Sequence, residues 1–273
     1  MEVKLIQMTQ DPIDVMWTAA RTCYSEKSPI EMWKDRYGEV LDDCEHTQEW
    51  IEQCTEKHWN LVKKILNSHH LSIAEHVYFT FAIEGVSRAL LAQLTRHRAG
   101  IVFSVMSQRY VEIKEDISLL EGKNFGPATY LQETEVVEML DRYFIWDHNN
   151  YSQFHTLGQT LYCYLYQIRE GVKPEDARMI LPNATKTNVT MSVNLRELMH
   201  ISNLRLCTRA QTEIRNLFKL IKEEVIKKDE RIGSLLQSSC EALGVCTEAQ
   251  CCGKRPKLEE VFEGYNRYKD LEK

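Results

Sequence analysis

The segment from Arg88 to Arg109 places four arginines and one histidine within 22 residues that include no acidic side chain. The cations are Arg88, Arg96, His97, Arg98 and Arg109. Guanidinium groups remain charged when they are partly buried, and they bind phosphate or carboxylate groups through pairs of hydrogen bonds. The segment therefore predicts an anion-binding site. The alternative is that Arg96 and Arg98 only complement the negative end of a helix dipole.

The chain around this segment is acidic, with a formal net charge of −6 and a pI near 5.9. Proteins that bind DNA or RNA generally use a basic surface to neutralise many phosphates. We therefore expect no nucleic-acid partner. A local cluster of cations in an acidic protein indicates small anionic ligands instead.

Apolar residues are spread along the chain, without a run of the roughly 20 that a membrane-spanning helix needs. The N-terminal sequence MEVKLIQMTQDP also lacks the apolar centre of a signal peptide. These patterns predict a cytoplasmic protein with no membrane partner.

Nine cysteines are present, and four of them lie close together near the C-terminus, at Cys240, Cys246, Cys251 and Cys252. Thiolates bind zinc, but the usual CxxC pairs do not occur here, and adjacent cysteines seldom ligate one tetrahedral ion. We predict a cluster of buried thiols and no metal site, as is usual in a reducing compartment.

Alternation and capping signals predict two strands and three helices in the first hundred residues. The strands are residues 3–8 and 77–83, and the helices are residues 12–23, 47–67 and 86–96. Asp11 is expected to cap the first helix, and Ser72 and Glu75 to form a capping box. Glu84 and Gly85 would form the turn that connects the second strand to the third helix. That helix would place Gln93, Arg96 and His97 on one face.

The glycines and proline of residues 111–132 indicate a long surface loop, and such loops often take part in function. Beyond it the pattern predicts a strand at residues 187–193 and helices at 133–170, 174–182, 194–206 and 208–228, the first of them broken near 148–150. Arg196, His200 and Asn203 are spaced to share one helix face, which would present three polar groups.

Several segments together resemble the flavin-dependent thymidylate synthases. The matching segments are AARTCY at 19–24, HLSIAEHVYFTFAIEGVSRALLAQLTRHR at 70–98, SQRY at 107–110, GVKPEDARMILP at 171–182 and NLRELMHISNLRLCTRAQTEI at 194–214. They span most of residues 1–220 in the order that the family shows, so the resemblance is specific.

The resemblance implies an α/β fold of the α+β type, with a mostly antiparallel central sheet flanked by helices. Residues 1–220 would form the catalytic domain, and residues 221–273 a helical, cysteine-rich extension of the same domain. Members of this family assemble as homotetramers whose active sites lie between subunits. We therefore expect a second copy of the chain as a partner.

The family activity implied by the resemblance is the reductive methylation of dUMP to dTMP. Methylenetetrahydrofolate would donate the one-carbon unit, and FAD and NADPH would supply the reducing equivalents. The residues that would line the flavin are His76, Arg96, His97, Arg98, Asn194, Arg196 and His200. Those that would hold the nucleotide are Gln93, Ser107, Gln108, Arg109, Arg178 and Arg205.

By the same resemblance, Arg178 and Arg205 would be catalytic. Guanidiniums next to the uracil ring would favour its electron-rich form and so promote attack on the one-carbon unit. The implied mechanism uses no enzyme nucleophile, and Ser107 is therefore expected to bind the nucleotide without forming a covalent bond.

The chain departs from the family in the segment that follows Arg98. Eight residues, AGIVFSVM, precede Ser107, whereas the family usually has seven and often polar ones. This leaves open a paralogous flavoenzyme that methylates or hydroxymethylates another uracil nucleotide, or a nucleotide-binding oligomer without catalysis. A zinc-stabilised nucleic-acid binder is a third reading, and the acidic charge disfavours it.

Overall fold

A computed structural model describes residues 1–38, 47–123 and 134–262. Its sheet has four strands, β1 (Glu2–Met8), β2 (Tyr78–Ser87), β3 (Ile101–Val105) and β4 (Lys186–Asn194). Their spatial order is β1-β2-β4-β3, and the sheet is antiparallel. The predicted fold class, an antiparallel sheet with flanking helices, is confirmed.

Strand β2 shows the predicted alternation, since Phe79, Phe81 and Ile83 are fully buried. The turn predicted at Glu84 and Gly85 is wrong, because the strand continues to Ser87. Gly85 adopts a φ of +66°, which glycine accommodates easily, and its N–H donates to Asn188 Oδ1 at 3.0 Å. A single glycine therefore bends the strand locally without ending it.

The following helix, α4, is shorter than predicted and covers Arg88–Leu94. Ser87 caps it by accepting a hydrogen bond from the Leu90 N–H at 3.0 Å. Thr95 is the C-cap of the helix, and its N–H and hydroxyl both donate to the Leu91 carbonyl at 2.9 Å. Arg96 and His97 consequently lie beyond the helix, so the predicted shared face with Gln93 is wrong.

Helices α1 (Pro12–Thr22), α2 (Pro29–Lys34) and α3 (Gln48–Asn67) follow β1. Asp11 precedes α1 as expected, but its φ is +46° and its side chain makes no capping hydrogen bond. The capping box predicted at Ser72 and Glu75 is also wrong. Leu71–His76 forms a 3₁₀ helix without a side-chain cap.

Within the described ranges, seven further α-helices follow strand β3. They are α5 (Thr134–Tyr143), α6 (Tyr151–Arg169), α7 (Pro174–Ala177), α8 (Leu195–Arg205), α9 (Thr212–Lys228), α10 (Glu230–Ser234) and α11 (Ser239–Leu243). The predicted break near residues 148–150 and the helix stop at Gly171, with φ +84°, are confirmed. Part of the predicted loop 111–132 forms a 3₁₀ turn at Ile117–Leu119, and residues 124–132 lie outside the described ranges.

The chain divides into two compact units. The first contains residues 1–3, 82–97 and 103–190, and the second contains residues 4–81, 98–102 and 191–273. In the first unit α5 and α6 pack around Phe144, Phe154 and Tyr164. In the second, α1 packs on α3 with Met16 and Val62 fully buried. The arrangement of residues 1–220 and 221–273 as one domain stays a prediction.

No helix within the described ranges is both long enough and apolar enough to cross a membrane.

Below the surface of the second unit, Asp14 joins three elements through a buried polar network. Its carboxylate accepts a hydrogen bond from the Tyr37 hydroxyl at 2.6 Å and lies 2.7 Å from His58 Nδ1. Trp17 stacks on the His58 ring with centroids 4.2 Å apart. Burial, followed by the hydrogen bond to Asp14, raises the pKa of Tyr37 to about 12. The network fixes α3 and the segment after α2 to α1.

Replacing Asp14 with alanine should lower the free energy of unfolding by about 3 kcal/mol, because a buried hydroxyl and imidazole would lose their partner. Urea denaturation measures this change. Asp35→Ala is the control, since Asp35 pairs with Lys27 at 3.1 Å on the exposed surface and should change stability by less than about 1 kcal/mol. Equal losses in the two variants would show that the network does not stabilise the fold.

Candidate functional site

Ser107 organises a tight turn in the first unit. Its hydroxyl accepts a hydrogen bond from the Arg109 N–H at 3.2 Å, and its carbonyl accepts from Val111 N–H at 2.9 Å. The residue before it is held from two sides. Met106 N–H donates to the Asn188 carbonyl at 2.9 Å, and Arg88 Nη2 donates to the Met106 carbonyl at 3.0 Å. The turn therefore has a fixed backbone from which Ser107 and Arg109 project.

Glu175 connects two of the predicted nucleotide-binding arginines. Its carboxylate Oε2 lies 2.7 Å from Arg109 Nε, and its backbone carbonyl accepts a hydrogen bond from Arg178 Nε at 3.0 Å. Two arginines 69 positions apart in sequence are thus brought to one place. Because each guanidinium uses its Nε for this contact, Glu175 orients the terminal nitrogens of both, through its carboxylate for Arg109 and its backbone carbonyl for Arg178.

Arg88 belongs to the predicted cluster of cations, but it was not among the residues predicted to bind the flavin or the nucleotide. Burial, and then the nearby Arg178, lowers the pKa of the Arg88 guanidinium. Its Nε is buried and has no hydrogen-bond partner among the described residues. A buried donor beside a second guanidinium is an arrangement that a bound anion would satisfy. The sequence feature that could have identified Arg88 as a site residue is its position at the start of α4, immediately after the Ser87 cap.

Three further residues were predicted to bind the nucleotide. Gln93 lies near the end of α4 and Gln108 lies within the Ser107 turn, and both are half-buried in the first unit. Arg205 is the half-buried last residue of α8 in the second unit. Their roles in binding stay predictions.

The second unit contains an open cavity of about 640 Å³ next to α8. Its lining includes Asn194, Arg196, His200 and Asn203, which confirms that the predicted polar face of this helix is exposed to one space. Glu75 and Gly100 also line the cavity. Glu75 pairs with Arg196 Nη1 through a short ion pair, a contact that sequence reasoning missed because 121 positions separate the two residues.

Asn194 and Gly100 form a close contact in this cavity wall. The Asn194 N–H donates to the Gly100 carbonyl at 2.9 Å, while its Oδ1 accepts from Glu197 N–H at 2.9 Å and caps α8. Gly100 has a φ of +64°, and a Cβ there would lie 2.2 Å from Asn194 Nδ2. Glycine is therefore required by both backbone conformation and space.

The chemistry of the cavity suits an anionic dinucleotide such as FAD. A capped helix N-terminus, a guanidinium and an imidazole are all donors that bind a pyrophosphate. Burial raises the pKa of Glu197, an effect that His200 partly offsets. The cavity thus combines the Arg196 guanidinium and the His200 imidazole with a carboxyl whose pKa is raised by burial.

The remaining predicted flavin residues lie on both sides of α4 in sequence. His76 is the exposed last residue of the 3₁₀ helix, and Arg98 is exposed, both in the second unit. Arg96 is exposed and His97 is buried, and both belong to the first unit. None of the four is among the residues that line the cavity beside α8. Their contact with a flavin stays a prediction.

Across the described residues, no three or more His, Cys, Asp and Glu side chains are grouped so that they could hold a metal ion. The described cysteines are free thiols. Cys44 lies outside the described ranges.

Comparisons with known proteins agree on one family. The family model described as "Thymidylate synthase complementing protein" matches residues 4–229. The chain is 33% identical over 272 residues to the flavin-dependent thymidylate synthase of Pyrococcus furiosus, covering 96% of this chain and 98% of that one. It is 32% identical over 274 residues to the protein of the same name from Clostridium tetani, covering 96% of each chain.

The fold is also similar to a solved structure. The flavin-dependent thymidylate synthase of Helicobacter pylori, crystallised with FAD and dUMP, superimposes with a TM-score of 0.64 at 25% sequence identity. The match covers 87% of this chain and all of that chain, at 100%.

The contact between Gly100 and Asn194 predicts that a larger residue at position 100 lowers the stability of the fold. Gly100→Ala should lower the free energy of unfolding by about 3 kcal/mol, because it adds a steric clash to the left-handed backbone penalty. Gly244→Ala is the matched control, since Gly244 has a φ of +75° with no atom within 4 Å of the added Cβ, and it should cost about 1 kcal/mol. Urea denaturation of both variants tests the difference, and equal costs would exclude a clash at Gly100.

Proposed function

Since the chain belongs to the flavin-dependent thymidylate synthase family, we propose that it catalyses the reductive methylation of dUMP to dTMP. Methylenetetrahydrofolate is the one-carbon donor, FAD is the cofactor, and NADPH is the reductant, so the enzyme serves the de novo synthesis of dTMP. The observation that carries this proposal is the convergence of Arg88, Arg109 and Arg178 beside the Ser107 turn. Three fixed guanidiniums from three segments suit a nucleotide phosphate.

The nucleotide phosphate binds at these three arginines. A phosphate monoester carries close to two negative charges at neutral pH, and forked guanidiniums match its oxygen atoms. The unpartnered Nε of Arg88 and the terminal nitrogens of Arg109 and Arg178 are the donors. Glu175 orients two of them before the ligand arrives, which reduces the entropy lost on binding.

The rest of the nucleotide is held by polar side chains of the same region. Ser107, Gln108 and Gln93 provide hydroxyl and amide groups for the sugar and the uracil. Arg178 stabilises negative charge that develops on the uracil when it attacks the one-carbon unit. Arg205, which belongs to the second unit, stays a predicted catalytic residue. Arg178 thus contributes both to binding and to catalysis.

The flavin binds in the cavity beside α8. Asn194, Arg196 and His200 hold its pyrophosphate, with the helix N-terminus as a further source of positive potential. His76, Arg96, His97 and Arg98 complete the predicted set. When bound, FAD carries the reducing equivalents between NADPH and the nucleotide product. The chain's own contribution is to hold the dinucleotide in a fixed place and to balance its charge.

The enzyme acts as a homotetramer in the cytoplasm, with active sites shared between subunits. Several large apolar side chains of the first unit are exposed next to the candidate nucleotide residues, namely Tyr110 at 79%, Val111 at 51%, Met179 at 82% and Ile180 at 39%. Exposed apolar groups concentrated near a site support its burial by another subunit. Shared sites also let cations from different subunits converge on the same ligands.

The eight-residue segment after Arg98 is compatible with the same reaction. Five of its residues form β3, which lies beside β4 in the sheet. Strand pairing accounts for their apolar character. The Met106 hydrogen bonds then keep the Ser107 turn in place. The departure from the family pattern therefore belongs to the scaffold, and it does not by itself favour another uracil nucleotide.

Product analysis tests the reaction directly. Under anaerobic conditions, protein loaded with FAD should be bleached by NADPH and should then convert dUMP and methylenetetrahydrofolate to dTMP, identified by mass. A reaction without dUMP is the control. Protein that binds no FAD would contradict the proposal, and bleaching followed by methylation of UMP alone would assign the alternative substrate.

Arg178→Ala should weaken dUMP binding by about 100-fold, because it removes a charged donor to the nucleotide phosphate. Isothermal titration with dUMP measures the change, and FAD absorbance shows that the cofactor site remains. Arg142→Ala is the matched control in the same unit, since Arg142 pairs with Glu115 at 3.3 Å on an exposed surface. Equal affinities for the two variants would show that Arg178 does not bind the nucleotide.

A further inference from the structure

A further cavity lies in the first unit, on the face of the sheet opposite the buried side chains of β2. Its volume is about 360 Å³. Its polar lining comes from three strands, with Glu84 from β2, Asn188 and Thr190 from β4, and Ser104 from β3. All four residues are exposed. We call this space the sheet-face cavity. The proposed function gives none of these side chains a role.

Met106 connects the sheet-face cavity to the arginines of the proposed phosphate site. It contributes to the cavity wall. Its carbonyl accepts the hydrogen bond from Arg88 Nη2 at 3.0 Å, and Ser107 follows it directly in sequence. The cavity and the phosphate site are therefore neighbours within one unit. In a nucleoside 5′-monophosphate, the group attached directly to the phosphate is the sugar.

Asn188 ties the strands that form this cavity to one another. Its side-chain Oδ1 accepts a hydrogen bond from Gly85 N–H at 3.0 Å, which fixes the residue next to Glu84 in β2. Its backbone carbonyl accepts from Met106 N–H at 2.9 Å, which fixes the end of β3. The backbone that carries Glu84 and Ser104 therefore has a defined position on both sides of β4.

The Glu84 carboxylate has no hydrogen-bond or ion-pair partner among the described residues. It differs in this respect from Glu75 and Glu175, each of which pairs with an arginine. An ionised carboxylate is a strong acceptor, and its hydrogen bonds from hydroxyl groups are short and charge-assisted. Glu84 can therefore accept a hydrogen bond from a ligand without giving up a contact within the protein.

We propose that Glu84 binds the 3′-hydroxyl of the nucleotide sugar in the sheet-face cavity. This inference rests on the proposed function, because it takes the 5′-phosphate to bind at the three arginines beside the Ser107 turn. The hydroxyls of Ser104 and Thr190 provide further polar contacts for the sugar. Glu84 is thus a substrate-binding residue, and it takes no part in the transfer of the one-carbon unit.

The two ends of the nucleotide site carry opposite charges, and this selects the ligand. Guanidiniums at one end attract a phosphate, whereas the Glu84 carboxylate at the other end repels it. A sugar hydroxyl, in contrast, can donate to that carboxylate. The nucleotide consequently binds in one orientation, and a nucleotide with a second phosphate on its 3′-oxygen is rejected. Specificity for the 5′-monophosphate then comes partly from a carboxylate that never contacts the 5′-phosphate.

Isothermal titration of the full chain, loaded with FAD, tests the contact with the 3′-hydroxyl. The ligands are dUMP and 2′,3′-dideoxyuridine 5′-monophosphate, which lacks this hydroxyl. Glu84→Ala should weaken dUMP binding about tenfold, as expected for a hydrogen bond to a charged group, and should not weaken binding of the dideoxy analogue. Equal weakening of both ligands would assign Glu84 a structural role and overturn the proposal. Unchanged dUMP affinity would also overturn it.

A bisphosphate tests the charge of Glu84 by an effect of opposite sign. We expect 2′-deoxyuridine 3′,5′-bisphosphate to bind the unsubstituted protein at least about tenfold more weakly than dUMP, because its 3′-phosphate is repelled by the carboxylate. Glu84→Ala should strengthen binding of this ligand while it weakens binding of dUMP. A variant with a damaged fold would weaken both. Absence of any gain for the bisphosphate would contradict the proposed position of Glu84.

Glu135→Ala is the matched control. Glu135 is an exposed glutamate of the same unit, in the first turn of α5, and it lies outside the cavity. Its replacement should change each affinity by less than about twofold, because solvent and salt screen its charge. Arg178→Ala separates the two hypotheses. If it weakens dUMP binding and Glu84→Ala does not, only the role of Glu84 is wrong, whereas an unsubstituted protein that binds no dUMP would contradict both.

Discussion

Backbone hydrogen bonds at both ends of the segment after Arg98 are the constraint on which the candidate sites depend. At one end the Asn194 N–H binds the Gly100 carbonyl, and at the other the Met106 N–H binds the Asn188 carbonyl. Both partners belong to β4, so strand β3 is held in a defined register against it. In the second unit this places Gly100 in the wall of the cavity beside α8. In the first it places the Ser107 turn next to Arg88.

Acidic residues hold two candidate ligand-binding arginines in place. Glu75 pairs with Arg196 and Glu175 pairs with Arg109, and half or more of each arginine side chain is exposed. Ion pairs at such exposure contribute little to the free energy of unfolding. Their physical effect is to restrict the rotamers of long side chains, so that donors point in set directions before a ligand binds.

Local patterns predicted much of the fold, and the failures have identifiable causes. Alternation located β2, and helical spacing located the face of Arg196, His200 and Asn203. The pattern failed at Gly85, because a strand that pairs with neighbouring strands on both sides can absorb one positive φ. It also failed at β3, where cations and a glycine concealed a short strand. For the candidate site, sequence identified the residue types, but Glu75, Glu175 and Arg88 act through partners distant in sequence, which no local period reveals.

Strand β3 lies at one edge of the sheet and exposes 66% of Val102. An edge strand presents unpaired backbone groups to which another chain can add, and apolar side chains make this more favourable. The strand is only five residues long, and Arg98 precedes it while Arg109 follows it. Charges next to a short apolar strand act as gatekeepers against aggregation. The two arginines proposed to bind ligands would then also protect the folded protein from association through its own sheet edge, so their loss would reduce solubility independently of binding.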